Sequence, residues 1–140
     1  MSMPHTALID TSAIFALSNQ NDPHHVHAGD ELKMWLSRRN TLILSDWVFA
    51  ESMTLLKARL GVSVALRVGR ELRSNPVYRW VALSPNDERE VWTSFQKYTD
   101  KDWSYIDCGV LVMSQRLRVP QVFAFDRHFK QMPGVVCLPK

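Results

Sequence analysis

Four carboxylates occupy the places where this chain could build a metal site: Asp10, Glu51, Asp107 and Asp126. Asp10 ends the apolar run Ala7-Leu8-Ile9, and Asp126 ends Val122-Phe123-Ala124-Phe125. Asp107 falls in the first turn of an expected helix, and Glu51 interrupts the apolar face of another. If the two apolar runs are parallel strands, they converge at the carboxyl edge of one sheet, where open α/β folds bind ligands. Clustered oxygen donors, with no cysteine or histidine at comparable positions, favour a hard cation such as Mg2+ or Mn2+. A cation of that kind goes with phosphate chemistry.

Each acid also has a plainer reading. Asp10 and Asp126 can N-cap the turns that follow them, accepting a backbone N–H. Ser104-Tyr105-Ile106-Asp107 is a capping box, and an acid in a first turn still projects beyond the strand edge. Glu51 is hardest to explain this way. Trp47, Val48, Leu55 and Ala58 lie at i−4, i−3, i+4 and i+7 from it, which predicts a core-facing carboxylate. A buried carboxylate needs a proton, a partner or a cation. The alternative is a place on the polar margin of the helix. One site accounts for all four placements at once.

Other reactive residues form weaker patterns. His24, His25 and His27 fit no zinc spacing and read as a solvated loop. His5 and His128 read as isolated. No Ser or Thr has the companions of a nucleophilic triad. With five glycines in the chain, a Gly-rich phosphate loop is absent. Trp35, Trp47, Trp80, Trp92 and Trp103 read mostly as core residues rather than base-stacking platforms.

The elements that must position the acids follow from periodicity and breakers. Strands are expected at Thr6 to Ile9, Thr41 to Leu44, Tyr78 to Leu83 and Gln121 to Phe125, with a further one at Val135 to Leu138. Between them, helices are expected at Thr11 to Ser18 and Val26 to Arg39, with Asn19 to His25 as a loop. The next runs from a Ser45 or Asp46 cap to Leu60, closed by Gly61, and another from a Ser63 cap to Ser74, stopped by Asn75-Pro76. Ser84, Pro85 and Glu88 mark a helix to Tyr98. After the polar loop Thr99 to Trp103, Ser104 opens a helix to Leu117, and Arg127 to Gln131 forms a helical turn. Strands separated by helices need crossovers, which generate a mostly parallel sheet covered on both faces.

At 140 residues the chain is read as one domain, residues 1–140, with a sizeable core. Its 46% hydrophobic and 22% charged content are ordinary for a globular protein. No apolar run approaches the roughly 20 residues that span a bilayer. Met-Ser-Met-Pro-His-Thr does not resemble a secretory leader. Two cysteines without metal spacing point to a reduced, cytoplasmic setting. The net charge is only +3, yet Lys57, Arg59, Arg67, Arg70, Arg73 and Arg79 face a single acid, Glu71, within their span. Arg116, Arg118, Arg127 and Lys130 lie near the last two carboxylates. Basic surface around an acidic metal centre suits a polyanion; a solvated helix face is the competing reading.

The ordered set Asp10-Thr11-Ser12, mid-helix Glu51, Asp102-Trp103-Ser104-Tyr105-Ile106-Asp107 and Phe125-Asp126-Arg127-His128-Phe129 resembles the PIN-domain ribonucleases. Within them it is most similar to the toxin subunits of VapBC toxin–antitoxin modules. The likeness runs from the first strand to the last. It implies a three-layer α/β/α sandwich around a mostly parallel sheet of four to five strands. It also implies Mg2+- or Mn2+-dependent endoribonuclease activity that leaves 5′-phosphate and 3′-hydroxyl ends. By the same resemblance Asp10, Glu51, Asp107 and Asp126 hold the metal and do the chemistry, and Thr11, Ser12, Asp102 and Ser104 support them. Arg127 is the candidate contact to the RNA backbone. Family toxins commonly form homodimers and are silenced by an antitoxin. An RNA-processing nuclease and a catalytically silent RNA-binding PIN domain are the nearest alternatives. A signalling receiver domain fits poorly, because Asp10 lacks an acidic neighbour and the strand through Leu83 ends in Leu-Ser-Pro.

Overall fold

Short aliphatic runs bounded by polar turns build five strands: β1 (Thr6–Ile9), β2 (Thr41–Ser45), β3 (Tyr78–Val81), β4 (Gln121–Phe123) and β5 (Val136–Leu138). Six helices alternate with them: α1 (Thr11–Ser18), α2 (His25–Ser37), α3 (Asp46–Leu60), α4 (Val62–Ser74), α5 (Pro85–Lys97) and α6 (Tyr105–Leu117). A 3-10 turn, Arg127–Gln131, lies between β4 and β5. The computed structural model describes residues 5–140; residues 1–4, read above for a leader, lie outside them. No helix among the described residues is long and apolar enough to cross a membrane.

All five strands are parallel, in the order β3-β2-β1-β4-β5. The chain winds outward from β1 to β3, then crosses back to lay β4 and β5 on the other side. The sheet therefore has its switch point between β1 and β4, which is where such folds form a ligand crevice. Leu8 stands beside Val122 and Ile9 beside Phe123. The Asp10 N–H donates to the Phe123 carbonyl at 3.0 Å, so the ladder runs one residue past β1. Right-handed crossovers place α1 to α4 on one face and α5 and α6 on the other. Accordingly α1 packs on α2 and α3, α3 on α4, and α5 on α6. The central strands are covered on both faces, and Ala7, Leu8, Ile9, Leu42, Leu44, Val122 and Phe123 are buried.

Several expected boundaries move for identifiable reasons. β3 stops at Val81 rather than Leu83, because the Leu83 N–H leaves the sheet to meet Asp46 Oδ1 at 3.0 Å. β4 stops at Phe123 rather than Phe125, whose N–H turns to Ser12 Oγ at 3.0 Å. The N-cap of α4 is Gly61 at φ +94°, not Ser63. In α5 the acid closing the capping box with Ser84 is Asp87 rather than Glu88. Asp87 is buried and also takes Arg116 Nε at 2.7 Å, while Glu88 accepts from the Tyr105 hydroxyl at 2.9 Å. Trp35 and Trp103 are core residues as expected, but Trp80 on the edge strand is 38% exposed and Trp92 53%. Arg73 lies 5.1 Å from the Trp80 ring centroid and 5.3 Å from that of Phe49, so its guanidinium partly covers that edge.

The two faces touch where α3 meets α6, close to the carboxyl edge of the sheet. A Cβ on Gly109 of α6 would lie 2.9 Å from Trp47 Cε3 and 3.2 Å from Cζ3. The bare backbone at 109 thus lets α6 settle against Trp47 at the start of α3, the helix that carries Glu51. Gly109→Ala should lower the denaturant midpoint, by about 1–3 kcal/mol in stability, although alanine is the better helix former. A midpoint at or above that of the parent chain would mean that the contact tolerates a methyl group.

Candidate metal centre

Asp10 extends β1 and caps α1: Oδ2 accepts from Ser12 N at 3.0 Å and from Ser12 Oγ at 2.7 Å. Because Ser12 Oγ also accepts from Phe125 N, one hydroxyl ties the end of β1 to the chain leaving β4. Asp107 completes a capping box: Oδ2 accepts from Ser104 N at 2.9 Å, and Ser104 Oγ accepts from Asp107 N at 3.0 Å. Asp126 caps the 3-10 turn, with Oδ1 accepting from His128 N at 2.9 Å. All three capping readings are therefore correct, and they do not compete with a site. In each acid the cap uses one oxygen. The other, Oδ1 of Asp10, Oδ1 of Asp107 and Oδ2 of Asp126, has no protein hydrogen bond among the described residues.

These acids and Glu51 line one cavity of about 320 Å3, together with Thr11, Ser12, Leu55, Ser104 and His128. Glu51 reaches it from α3 and is half-buried, on the margin of the helix. The buried stripe of α3 is Val48, Ser52 and Leu56 instead, and Ala58 is exposed. Thr11 is buried and its Oγ1 accepts from Ser52 Oγ at 3.4 Å, joining α1 to α3. Asp102 and Arg127 are exposed and do not line the cavity.

His128, read from sequence as isolated, belongs to the cluster. Its Nδ1 lies 3.0 Å from Asp107 Oδ2 and 3.2 Å from Asp126 Oδ1. A carboxylate oxygen accepts, so in the tautomer with hydrogen on Nδ1 the imidazole donates to Asp107 Oδ2, with Asp126 Oδ1 beside it. Donor atoms of Asp107, Asp126 and His128 fall within 4.8 Å of one another, tightly enough to hold one ion. The available signal was the Asp-x-His spacing shortly after a strand: a cap at Asp126 folds the turn so that the residue two further on comes back beside it.

Asp10 is 3% exposed, and its Oδ1 is buried without any partner. Burial pushes its carboxyl from 3.8 up to about 7; the two Ser12 hydrogen bonds oppose the rise, and the charges of Asp107 and Glu51 add to it. A buried, unpartnered carboxylate oxygen beside other acids fits a cation, which would supply the missing ligand and relieve the repulsion. Hard oxygens dominate the donor set, matching Mg2+ or Mn2+ chemistry, with one imidazole at its edge.

Residues 7–135 match the PIN domain family, and the chain belongs to it. Within that family it is related to VapC toxins. It is 26% identical over 132 residues to the 23S rRNA-specific endonuclease VapC20 of Mycobacterium tuberculosis, covering 94% of this chain and 98% of the relative. It is 27% identical over 126 residues to ribonuclease VapC26 of the same organism, covering 89% and 90%. The crystal structure of VapC20, a Sarcin-Ricin loop cleaving toxin, superposes with a TM-score of 0.81 at 24% identity, over 91% of this chain and 95% of that one. VapBC2 from Rickettsia felis, solved bound to a promoter DNA fragment, gives 0.71 at 12% identity, over 94% and 96%. At these identities the superpositions show a shared fold.

Because Asp10 holds its proton more tightly folded than unfolded, its contribution to stability is complete below pH 3.8 and is lost as pH rises to about 7. In EDTA the chain should lose up to about 4 kcal/mol of stability across that window, and Asp10→Asn should abolish that loss. Denaturant melts at pH 5 and pH 8 read the part of that loss above pH 5, about 3 kcal/mol, and its absence in Asp10→Asn. A parent chain as stable at pH 8 as at pH 5, relative to Asp10→Asn, would mean that Asp10 ionises without penalty.

Proposed function

We propose that this PIN domain, acting as one domain over the whole chain, is a divalent-metal-dependent endoribonuclease and the toxin of a toxin–antitoxin pair. The observation that carries the reading is the set of three capped carboxylates lining one cavity, each with a second oxygen that makes no protein hydrogen bond among the described residues, that of Asp10 being buried. Asp10, Asp107 and Asp126 would hold Mg2+ or Mn2+ through those oxygens, with Glu51 on the remaining wall. Held there, such a cation would supply Lewis acidity for phosphodiester hydrolysis. Ser12 fixes the Asp10 carboxylate, and Ser104 fixes that of Asp107. His128, beside both Asp107 and Asp126, would help hold the two acids at one spacing. Arg127, exposed and next to Asp126 in sequence, is the proposed contact to an RNA phosphate.

The relatives' names support RNA as the substrate, with structured ribosomal RNA as the first one to try. The toxin–antitoxin complexes that share this fold, from Rickettsia felis and Klebsiella pneumoniae among others, support a cognate antitoxin as the protein partner. A homodimer is the proposed assembly.

The purified chain should cut a mixed RNA pool with Mg2+ or Mn2+ and leave it intact with EDTA. Asp10→Asn should fold and reduce cutting to the EDTA level. An active, folded Asp10→Asn would remove that acid from the chemistry. Intact RNA under every condition, with folded and partner-free protein, would leave an RNA-binding PIN domain as the better reading.

A further inference from the structure

A second cavity, of about 310 Å3, opens beside the first and shares Ser12, Leu55 and Asp126 with it. Its other walls include His24, Phe125, Asp22 and Arg59. The rings of His24 and Phe125 are stacked, with centroids 4.7 Å apart and planes 15° from parallel. Phe125 immediately precedes Asp126, so this aromatic pair adjoins the carboxylate cluster. Phe125 covers one face of the imidazole, and His24 is nonetheless exposed, so part of the ring remains open to solvent.

The loop that carries His24 is pinned from two sides. Asp22 Oδ1 accepts from His24 N at 2.8 Å, and His25 Nδ1 donates to the Ala16 carbonyl of α1 at 2.7 Å. An aromatic face held this way is ready before any ligand arrives, which lowers the entropic cost of binding. The charges around it limit what can bind. Two carboxylates, Asp22 and Asp126, and one guanidinium, Arg59, line the cavity. That balance repels a phosphate from the interior and accepts an uncharged flat ring, while Arg59 remains available to a phosphate at the rim.

We propose that this cavity takes a nucleobase flanking the scissile phosphate, unstacked from its own strand and laid on the exposed imidazole of His24, with Arg59 on the adjoining phosphate. The proposal rests on the nuclease reading above and narrows its substrate. A base can reach His24 only from a single strand or a loop, because A-form duplex keeps its bases stacked and paired. On this proposal His24, exposed as the solvated-loop reading expected, would also bind substrate.

The test uses short single-stranded RNA oligonucleotides, each carrying 2-aminopurine at one position, titrated into the full Asp10→Asn chain so that the RNA is not cut. Stacking should quench the fluorophore at the position that reaches His24. Adding His24→Ala should weaken this binding on the order of tenfold, and adding His24→Phe should restore it. In chains that keep Asp10, His24→Ala should raise KM by a similar factor while kcat and the melting temperature stay near those of the parent. Quenching that ignores His24→Ala, or that His24→Phe does not restore, overturns the platform, as does the absence of quenching at every position. The two readings fail separately. RNA cutting with an unaffected His24→Ala chain removes the platform and keeps the nuclease. His24-dependent quenching without any cutting keeps the platform and removes the nuclease.

Discussion

Gathering like charges is the constraint around which this molecule is organised. Four carboxylates face one small cavity, and the most buried of them, Asp10, has to be held there against its own desolvation and the fields of Asp107 and Glu51. Helix capping provides the restraint. Each of the three aspartates sits at the start of a helix or 3-10 turn, where peptide N–H groups and the positive end of the dipole favour negative charge. Capping also consumes only one oxygen of a carboxylate. Local backbone needs and the site's needs are met by different atoms of the same side chain, so a feature that is a sufficient explanation for each residue alone is also the means of assembling them.

The sheet supplies the convergence. β1 and β4 are neighbours only because the chain reverses its direction of winding, and their ends bring Asp10 and Asp126 to one edge from distant parts of the sequence. Ser12 then joins the two exits directly, accepting from Phe125 N while donating to Asp10. From the far face, α6 brings Asp107, and its glycine against Trp47 sets how closely it meets the helix carrying Glu51. His128 closes the arrangement, with Nδ1 beside both Asp107 and Asp126.

Much of this was legible in the sequence because it is local. Aliphatic runs ended by an acid, caps at Ser45, Ser84 and Ser104, and breakers at Gly61 and Pro76 mark the elements and their order. What escaped depends on nonlocal contact. Leu83 and Phe125 leave their strands because distant side chains, Asp46 and Ser12, take their N–H groups. Glu51 has core-like neighbours in sequence, but the buried stripe of α3 is rotated toward Val48, Ser52 and Leu56, which leaves the acid at the margin. His128 looked isolated because its partners come from α6 and from the cap before it. Trp80 looked like core because nothing local reveals that β3 ends up at the edge of the sheet. Sheet order is the least local property of a fold, and it decided most of what the linear pattern concealed.

The same strand order has a consequence for how the protein comes into being. As the chain is synthesised, β1 can pair with β2 early, but its other edge has no neighbour until β4 has been made, near the end of the sequence. Only then do Asp126 and His128 come up beside Asp10. A chain that stops short of β4 lacks Asp126 and His128 and exposes the central strand of the sheet as an open edge, the kind of surface that invites aggregation. An interrupted synthesis would therefore yield an unstable sheet rather than a partly built catalyst.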